Sequence, residues 1–204
     1  MLDRRLHWET IYGERKPEDV SWFQESPALS LQLIKGAAPS KDARIIDVGG
    51  GASRLVDALA AEGFTGLSVL DISGRALSHS RDRLGSRAKK ISWIESDVAA
   101  FAPAESYDVW HDRAVFHFLT EKAERDAYLG VLRRSLKPGG ALILAAFAPD
   151  GPERCSGLPV RRYDAALVRE TFGPGFKLVL ETAETHLTPW KTEQRFSYFL
   201  LKRN

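Results

Sequence analysis

The fold is decided by the stretch Ile46-Asp47-Val48-Gly49-Gly50-Gly51-Ala52-Ser53. A short run rich in β-branched residues, 43–48, comes before the glycines, and a helical apolar pattern follows over residues 53–62. This order is typical of a buried parallel strand that turns directly into a helix. Glycines in such a turn let the backbone approach a ligand where a Cβ would clash. We therefore expect a ligand-binding turn between the first core strand and its helix.

Short apolar runs alternate with amphipathic helical segments along the rest of the chain. Further strands are predicted over residues 66–70, 91–95, 107–111, 141–147, 176–182 and 195–201. Helices are predicted over residues 72–84, 121–135 and 162–172, and a turn over residues 137–140. The βαβ order predicts a doubly wound α/β domain. The last two strands alternate enough to form an antiparallel edge pair.

Composition and charge exclude several classes of protein. The 204 residues are enough for one core, and 29 basic against 27 acidic side chains give no electrostatic reason to expect nucleic acid. A single cysteine, Cys155, rules out an internal disulfide and disfavours a metal site. No apolar run approaches the ~20 residues that span a bilayer, and no secretory signal is visible. We expect a cytoplasmic protein without metal or membrane contact; the oligomeric state stays open.

Carboxylates stand at the ends of the first two predicted strands. Asp47 comes directly before the glycines, where it suits a ligand with a cation and disfavours a pyrophosphate. The dinucleotide pattern also requires a third glycine farther on, whereas Gly51 is followed by Ala52. Asp71 ends the second strand, where a carboxylate accepts hydrogen bonds from ribose hydroxyls. The alternative for Asp71 is the N-cap of the following helix.

A third carboxylate, Asp97, follows the third strand. Its side chain can accept from an adenine amine, while Val98 can donate its backbone N–H to the ring; the alternative is an Asx turn. Parallel strands place their carboxyl ends at one edge of a sheet, where open α/β sheets bind ligands. The three carboxylates and the glycine turn therefore predict one nucleoside-binding crevice.

Together these motifs resemble class I S-adenosylmethionine-dependent methyltransferases over about residues 40–147. The resemblance is carried by Asp47-Val-Gly-Gly-Gly51, Asp71, Asp97, Tyr107-Asp-Val-Trp-His-Asp112 and Leu136-Lys-Pro-Gly-Gly140. It implies a Rossmann-like, seven-stranded, mostly parallel sheet with an antiparallel C-terminal hairpin, and transfer of a methyl group from S-adenosylmethionine by in-line displacement. The implied cofactor contacts are Asp47, Gly49, Gly50, Gly51, Asp71, Ile72, Asp97, Val98, His111 and Trp22.

Two narrower resemblances imply different methyl acceptors. Residues 7–13 and 20–24 are similar to the N-terminal segment of lysine methyltransferases that act on citrate synthase and elongation factor 1A. Residues 112–117 are similar to thiopurine methyltransferase-like enzymes, in which Asp-Arg-Ala follows the fourth strand. The first implies a protein lysine and the second a small soft nucleophile. We leave the acceptor open between a small molecule and a protein lysine.

Residues that follow the fourth strand are predicted to lie beside the methyl group. His117 is the candidate proton acceptor, because imidazole titrates near neutral pH; the alternative is a packing or capping residue. Asp112 is predicted either to orient an amine or to bond the cofactor's amino group. Arg113 either binds an acceptor carboxylate or pairs with Asp112. Phe116 and Phe23 are predicted to contact the acceptor.

The chain is expected to form one domain, residues 1–204, with three parts. Residues 1–40 form a helical lid segment, in which Trp22 and Phe23 cover the cofactor or anchor the helices. Residues 41–147 bind the cofactor. Residues 148–204 supply the edge hairpin and the acceptor loops, with residues 155–159 and 186–190, including Trp190, as candidates. The alternatives to an enzyme of this family are a non-catalytic module that binds S-adenosylmethionine and a nicotinamide dehydrogenase.

Overall fold

The computed structural model describes residues 3–204. Its six α-helices are α1 (Arg4–Glu14), α2 (Ala28–Ala37), α3 (Leu55–Ala61), α4 (Gly74–Leu84), α5 (Lys122–Ser135) and α6 (Ala165–Phe172). Its strands are β1 (Arg44–Val48), β2 (Gly66–Asp71), β3 (Ser92–Glu95), β4 (Tyr107–Arg113), β5 (Leu136–Phe147), β6 (Arg154–Cys155), β7 (Leu158–Pro159), β8 (Phe176–Leu187) and β9 (Glu193–Arg203).

Seven strands form one sheet in the order β3-β2-β1-β4-β5-β9-β8. Strands β1 to β5 run parallel, and β9 runs antiparallel to both β5 and β8. The mostly parallel sheet with an antiparallel C-terminal hairpin is therefore confirmed. The chain order reverses between β1 and β4, and the crevice outside the carboxyl ends of these two strands is where such sheets bind ligands.

Apolar side chains cover both faces of the sheet. One cluster lies between the sheet and α5 and α6, and includes Trp110, Tyr128 and Phe172. The other lies between the opposite face and α2, α3 and α4, and includes Ile34, Leu59 and Leu77. Burial on both faces explains why the parallel strands are continuous apolar runs rather than alternating ones.

Strand β5 begins earlier than the sequence pattern predicts. Tyr107 pairs with Leu136 and Val109 pairs with Ala141, so residues 137–140 bulge out opposite the single residue Asp108. Gly139 in this bulge has a φ of 74°, a conformation that suits glycine. The predicted turn is therefore an insertion within a longer strand.

The C-terminal hairpin is also longer than predicted. Strand β8 continues to Leu187 and β9 starts at Glu193, so the predicted loop over residues 186–190 is partly strand. The other predicted acceptor loop, residues 155–159, belongs to a small separate hairpin of β6 and β7. Extra pairing of backbone groups stabilises both segments beyond what residue type alone indicates.

The N-terminal helices pack against the crevice side of the domain. Helix α1 lies against α4, while α2 packs against α3, β4 and β5. Within residues 3–204, no helix is long and apolar enough to cross a membrane. The same residues contain no group of three or more His, Cys, Asp or Glu side chains that could hold a metal ion.

Candidate active site

The glycine turn brings the backbone against neighbouring elements. Gly49 has a φ of 68°, and a Cβ there would lie 2.1 Å from Cγ2 of Val115. A Cβ at Gly51 would lie 2.5 Å from Oδ2 of Asp71. Side chains at these positions would close the space at the ends of β1 and β2, so the sequence needs glycine here.

Asp47 lies in a pocket on the inner side of the turn, which we call the inner pocket. The inner pocket has a volume of ≈ 520 Å³, against ≈ 800 Å³ for the neighbouring cleft. Oδ1 of Asp47 lies 2.7 Å from Nδ1 of His111, and Nε2 of His111 lies 2.9 Å from Oγ of Ser30. Oδ2 of Asp47 is buried and has no hydrogen-bond partner among residues 3–204. This oxygen is an open acceptor for a cationic group in the pocket.

Asp71 lies at the other wall of the glycine turn, with 7% of its surface exposed. Its Oδ1 accepts the backbone N–H of Ser73 at 2.9 Å. Burial raises the pKa of Asp71 to about 7, and the nearby Asp47 carboxylate adds to the rise. Ser73 Oγ, and not Asp71, caps the following helix by accepting from Ala76 N. The carboxyl of Asp71 is thus free of the N-cap role that was its alternative.

Asp71 borders a larger cleft at the carboxyl ends of β1 to β4, which we call the main cleft. Ile72, Asp97 and Val98 line the same end of it. Oδ1 of Asp97 accepts the backbone N–H of Ala99 at 2.8 Å, so the Asx turn also forms. The second carboxylate oxygen of Asp97 and the apolar side chains of Ile72 and Val98 together suit a flat, polar-edged ring.

Aromatic side chains from the N-terminal segment roof the main cleft. The ring centroids of Trp8 lie 5.5 Å from those of Trp22 and 5.2 Å from Phe118. Trp22 Nε1 donates to the hydroxyl of Tyr12 at 3.1 Å. Trp22 and Tyr12 line both the main cleft and the inner pocket, so the roof crosses the boundary between the two spaces.

Arg113, at the end of β4, also lines both spaces. Its Nε donates to the hydroxyl of Tyr198 at 3.0 Å, and its Nη1 donates to the carbonyl of Trp22 at 3.1 Å. Its Nη2 is buried without a hydrogen-bond partner, 3.7 Å from Oε2 of Glu184. Arg113 does not pair with Asp112, which was one of its two predicted roles.

Asp112 points away from the cleft. Its Oδ1 accepts the backbone N–H groups of Val115 and Phe116 at 3.0 and 3.2 Å, and its Oδ2 accepts the hydroxyl of Tyr128 at 2.7 Å. Burial raises the pKa of Asp112 to about 6. Because both of its oxygens accept hydrogen bonds from the protein, Asp112 holds the loop after β4, and it lines neither the main cleft nor the inner pocket.

His117 and Phe116 also lie in the protein interior. Both are fully buried, and neither lines the main cleft or the inner pocket. Burial lowers the pKa of His117 to about 3, and neither ring nitrogen has a hydrogen-bond partner. Phe116 packs its ring against those of Tyr128, Tyr163 and Phe172. The predicted proton-accepting and acceptor-binding roles do not fit these positions, because no space adjoins either ring.

The remaining predicted acceptor residues separate from one another. Phe23 lines the inner pocket. Cζ of Arg54 lies 5.5 Å from the centroid of the Phe23 ring, in a cation–π contact. Trp190 is 58% exposed beyond the end of β8 and lines neither space. Cys155, from the other candidate loop, does line the main cleft. Burial raises the pKa of the Cys155 thiol to about 12, so the thiol is neutral.

Several residues that line the main cleft were missed by the sequence reasoning. They are Arg4, Trp8, Tyr12, Val115 and Phe118. The aromatic density of the N-terminal segment was a signal that this segment is more than a linker, but nothing in it indicates which rings face the cleft. Val115 and Phe118 follow β4, where the prediction favoured their polar neighbours.

Part of the chain is similar to known methyltransferases. A family model described as a methyltransferase domain matches residues 46–142. Nodulation protein S of Rhizobium tropici is 32% identical over 114 residues, which are 56% of this chain and 47% of that protein. The chain therefore spans about half the length of that relative. Thiocyanate methyltransferase 1 of Arabidopsis thaliana is 27% identical over 186 residues, 89% of this chain and 78% of that protein.

A solved S-adenosylmethionine-dependent methyltransferase from Anabaena variabilis has the same fold. The two structures superpose with a TM-score of 0.77 at 15% identity, over 100% of this chain and 96% of that one. Residues 46–142 are thus similar to a methyltransferase domain, and the chain has the fold of a solved S-adenosylmethionine-dependent methyltransferase.

Proposed function

We propose that the protein transfers the methyl group of S-adenosylmethionine to a small-molecule acceptor. The observation that carries the proposal is the buried, unpartnered Oδ2 of Asp47 beside the Gly49 turn, with the Asp71 carboxyl on the other wall of that turn. S-Adenosylmethionine has an ammonium group at one end and ribose hydroxyls in its middle. The unpartnered oxygen of Asp47 and the carboxyl of Asp71, which lie on either side of the glycine turn, match the ammonium group and the ribose hydroxyls of this ligand.

The residues present suit each part of the cofactor. Asp47 would accept from the ammonium group, Asp71 from the ribose hydroxyls, and Asp97 with Val98 would hold the adenine edge. Gly49 and Gly51 have no side chain, and this leaves room for the methionine part to extend over the turn from the main cleft to the inner pocket. When bound, the cofactor supplies a methyl carbon made electrophilic by its sulfonium. A nicotinamide dinucleotide would instead bring a pyrophosphate to Asp47, where like charges repel.

The chain's own contribution to the reaction is to bind, orient and exclude water. The glycine turn and Asp71 fix the position of the cofactor, while Trp8, Trp22 and Phe118 close the cleft. Holding two reactants in line removes much of the entropic barrier of a displacement. An enclosed apolar site also removes water from the reacting atoms.

The roof of the cleft favours a small acceptor over a protein lysine. Trp8 and Trp22 meet edge to face above the cleft, and Arg4 ties the adjoining helix to the carbonyl of Phe118 at 3.0 Å. A folded protein would have to displace this roof to deliver a lysine. Thiocyanate methyltransferase 1, which aligns with most of the chain, is named for a small molecule.

Two further assignments belong to this proposal. We propose that residues 1–204 act as one domain with a lid segment over residues 1–40, a cofactor-binding core over residues 41–147 and acceptor-side loops over residues 148–204. We also propose a cytoplasmic location, which is supported by the single cysteine, Cys155, being buried as a free thiol.

The proposal is tested by incubating the purified protein with S-adenosylmethionine labelled in its methyl group and with a lysate separated into small-molecule and protein fractions. We expect label to enter the small-molecule fraction and S-adenosylhomocysteine to accumulate. The Asp71→Asn variant should lose both signals, and a variant of an exposed, distant residue, Lys177→Gln, serves as the control.

Label in a protein band would replace the small molecule with a protein acceptor. Binding of S-adenosylhomocysteine measured by titration calorimetry, without transfer to either fraction, would favour a non-catalytic binding module. Binding of NADH in place of S-adenosylhomocysteine would favour a dehydrogenase.

A further inference from the structure

Three buried polar side chains form a hydrogen-bonded chain along one wall of the inner pocket. Nδ1 of His111 lies 2.7 Å from Oδ1 of Asp47, and Nε2 of His111 lies 2.9 Å from Oγ of Ser30. All three residues line the inner pocket, and none of them is more than 4% exposed. They belong to three different elements, α2, β1 and β4, so their contact depends on the packing of the fold.

The pairing of β1 with β4 brings Asp47 and His111 together. These two residues are direct partners in the parallel register, so their side chains leave the same face of the sheet side by side. Helix α2 packs against β4 and supplies Ser30. The contact between Asp47 and His111 is therefore fixed by backbone pairing, and the position of Ser30 is fixed by the packing of α2.

The partners of His111 indicate which ring nitrogen carries the hydrogen. An ionised carboxylate only accepts hydrogen bonds, so Nδ1 of His111 donates to Oδ1 of Asp47. Nε2 of the neutral ring then accepts the hydroxyl of Ser30. Because both nitrogens are engaged, the ring cannot rotate without breaking a buried hydrogen bond, which is costly.

His111 leaves one oxygen of Asp47 open. Oδ1 is bonded to His111, whereas Oδ2 has no hydrogen-bond partner in the described part of the chain. Oδ2 lies directly beside the middle glycine of the turn, because a Cβ at Gly50 would be only 2.5 Å from it. The missing side chain at Gly50 thus leaves room for the carboxylate in this orientation, and His111 holds it there.

We propose that His111 and Ser30 are positioning residues that hold Asp47 with Oδ2 open to the pocket, and that they thereby set the selectivity of the site for a ligand with an ammonium group. This inference rests on the proposed function, in which Asp47 accepts from the ammonium group of S-adenosylmethionine. His111 acts through Asp47 and not by touching the cofactor. A carboxylate that is already held in place loses less freedom on binding a cation than one that can rotate.

The test compares S-adenosylhomocysteine with its deamino analogue, in which a hydrogen replaces the ammonium group. Calorimetry measures the affinity of the first ligand, and displacement titration measures that of the weaker second ligand. His111→Phe keeps an aromatic ring and removes both hydrogen bonds. We expect it to weaken S-adenosylhomocysteine about tenfold, as for the loss of one hydrogen bond. The affinity for the deamino analogue should change less than about twofold.

Two milder variants separate the two hydrogen bonds. The amide nitrogen introduced by His111→Asn can replace the Nδ1 donor, so the affinity for S-adenosylhomocysteine should stay within about threefold of wild type. Ser30→Ala removes only the support at Nε2 and should weaken the same ligand about two- to fourfold. Ser135→Ala, which removes a buried hydroxyl bonded to the carbonyl of Val131 within α5, is the matched control and should change neither affinity.

Equal weakening of both ligands in His111→Phe would give His111 a purely structural role and overturn the inference, as would an unchanged affinity for S-adenosylhomocysteine. A loss in His111→Asn as large as that in His111→Phe would contradict the role of the Nδ1 donor. If His111→Phe does not fold, Ser30→Ala decides, and wild-type selectivity in that variant overturns the inference.

The wild-type protein separates this inference from the proposed function. Equal wild-type affinities for the two ligands would show that Asp47 does not bind an ammonium group, which overturns the inference while an adenosyl site remains. If wild type bound neither ligand, the proposed function itself would fail.

Discussion

At the scale of single residues, Asp71 is the buried carboxyl that we propose binds the ribose hydroxyls of the cofactor. Its carboxyl lies between the glycine turn and Asp47, and burial holds its pKa at about 7 although backbone N–H groups of Ser73, Gly51 and Ile72 lower it. A carboxylate that accepts two ribose hydroxyls must be ionised. Because its pKa is raised towards neutrality, we expect the ionisation of Asp71 to change with pH in the neutral range.

We expect the affinity for S-adenosylhomocysteine to fall as the pH falls. The bound ligand favours ionised Asp71, so binding lowers its pKa and takes place with release of a proton below pH 7. The dissociation constant should rise about tenfold between pH 7.5 and pH 6, by linkage. Calorimetry in buffers of different ionisation enthalpy measures both the affinity and the proton release. Asp71→Asn should bind weakly with no such slope, and a flat profile in wild type would contradict the ribose assignment.

At the scale of elements, helix α1, which belongs to the proposed lid segment, is held by ion pairs at its edges. Arg4 contacts Glu124 at 2.8 Å, Arg5 contacts Glu95, and Glu9 contacts Arg75 at 3.2 Å. Pairs this exposed contribute about 0–1 kcal/mol each and weaken with salt. Trp8 and Tyr12 of α1 line the main cleft, and we expect movement of α1 to accompany release of the cofactor.

Loosening these pairs should speed release of the product. We expect the double variant Arg5→Gln with Glu9→Gln to release S-adenosylhomocysteine about three to ten times faster in stopped-flow measurements of tryptophan fluorescence. Raising the salt concentration should do the same to wild type and have less effect on the variant. Lys122→Gln, which removes an exposed ion pair within α5, is the matched control. Equal release rates in all three proteins would show that α1 does not limit exit.

At the scale of the whole molecule, the cofactor site joins distant parts of one cooperative structure. The lid helix, the glycine turn, the loop after β4 and the β6–β7 hairpin all line the main cleft. A ligand in this space contacts all of them, so its binding free energy adds to the stability of the folded chain as a whole.

We expect S-adenosylhomocysteine to raise the melting temperature. At a ligand concentration 100 times the dissociation constant, the added stability is about 2.7 kcal/mol, which corresponds to roughly 5–10 °C for a chain of this size. Differential scanning calorimetry gives the shift directly. NADH at the same concentration should give none, and Asp71→Asn should reduce the shift seen with S-adenosylhomocysteine. Equal stabilisation by both ligands would count against selectivity for the adenosyl sulfonium.

The fourth strand illustrates where prediction from the sequence stopped. The apolar pattern ends β4 at His111, which predicts a single loop over residues 112–117 that faces the ligand. The strand continues to Arg113, and alternate side chains of a strand point to opposite faces. Asp112 therefore turns to the side of Trp110 and Tyr128, while Arg113 turns to the cleft. Because β4 ends two residues later than predicted, Asp112 faces the interior and Arg113 faces the cleft.

The sequence by itself determined the strand–turn–helix at Gly49, the order of the strands and the carboxylates at Asp47, Asp71 and Asp97, because backbone freedom, β-branching and strand ends are local properties of the chain. Only the tertiary structure decided which side chains line the main cleft. Trp8, Trp22, Arg113 and Cys155 are far apart in sequence, and they meet because α1, β4 and the β6–β7 hairpin pack around one crevice. Such contacts depend on the packing of whole elements, which no local pattern specifies.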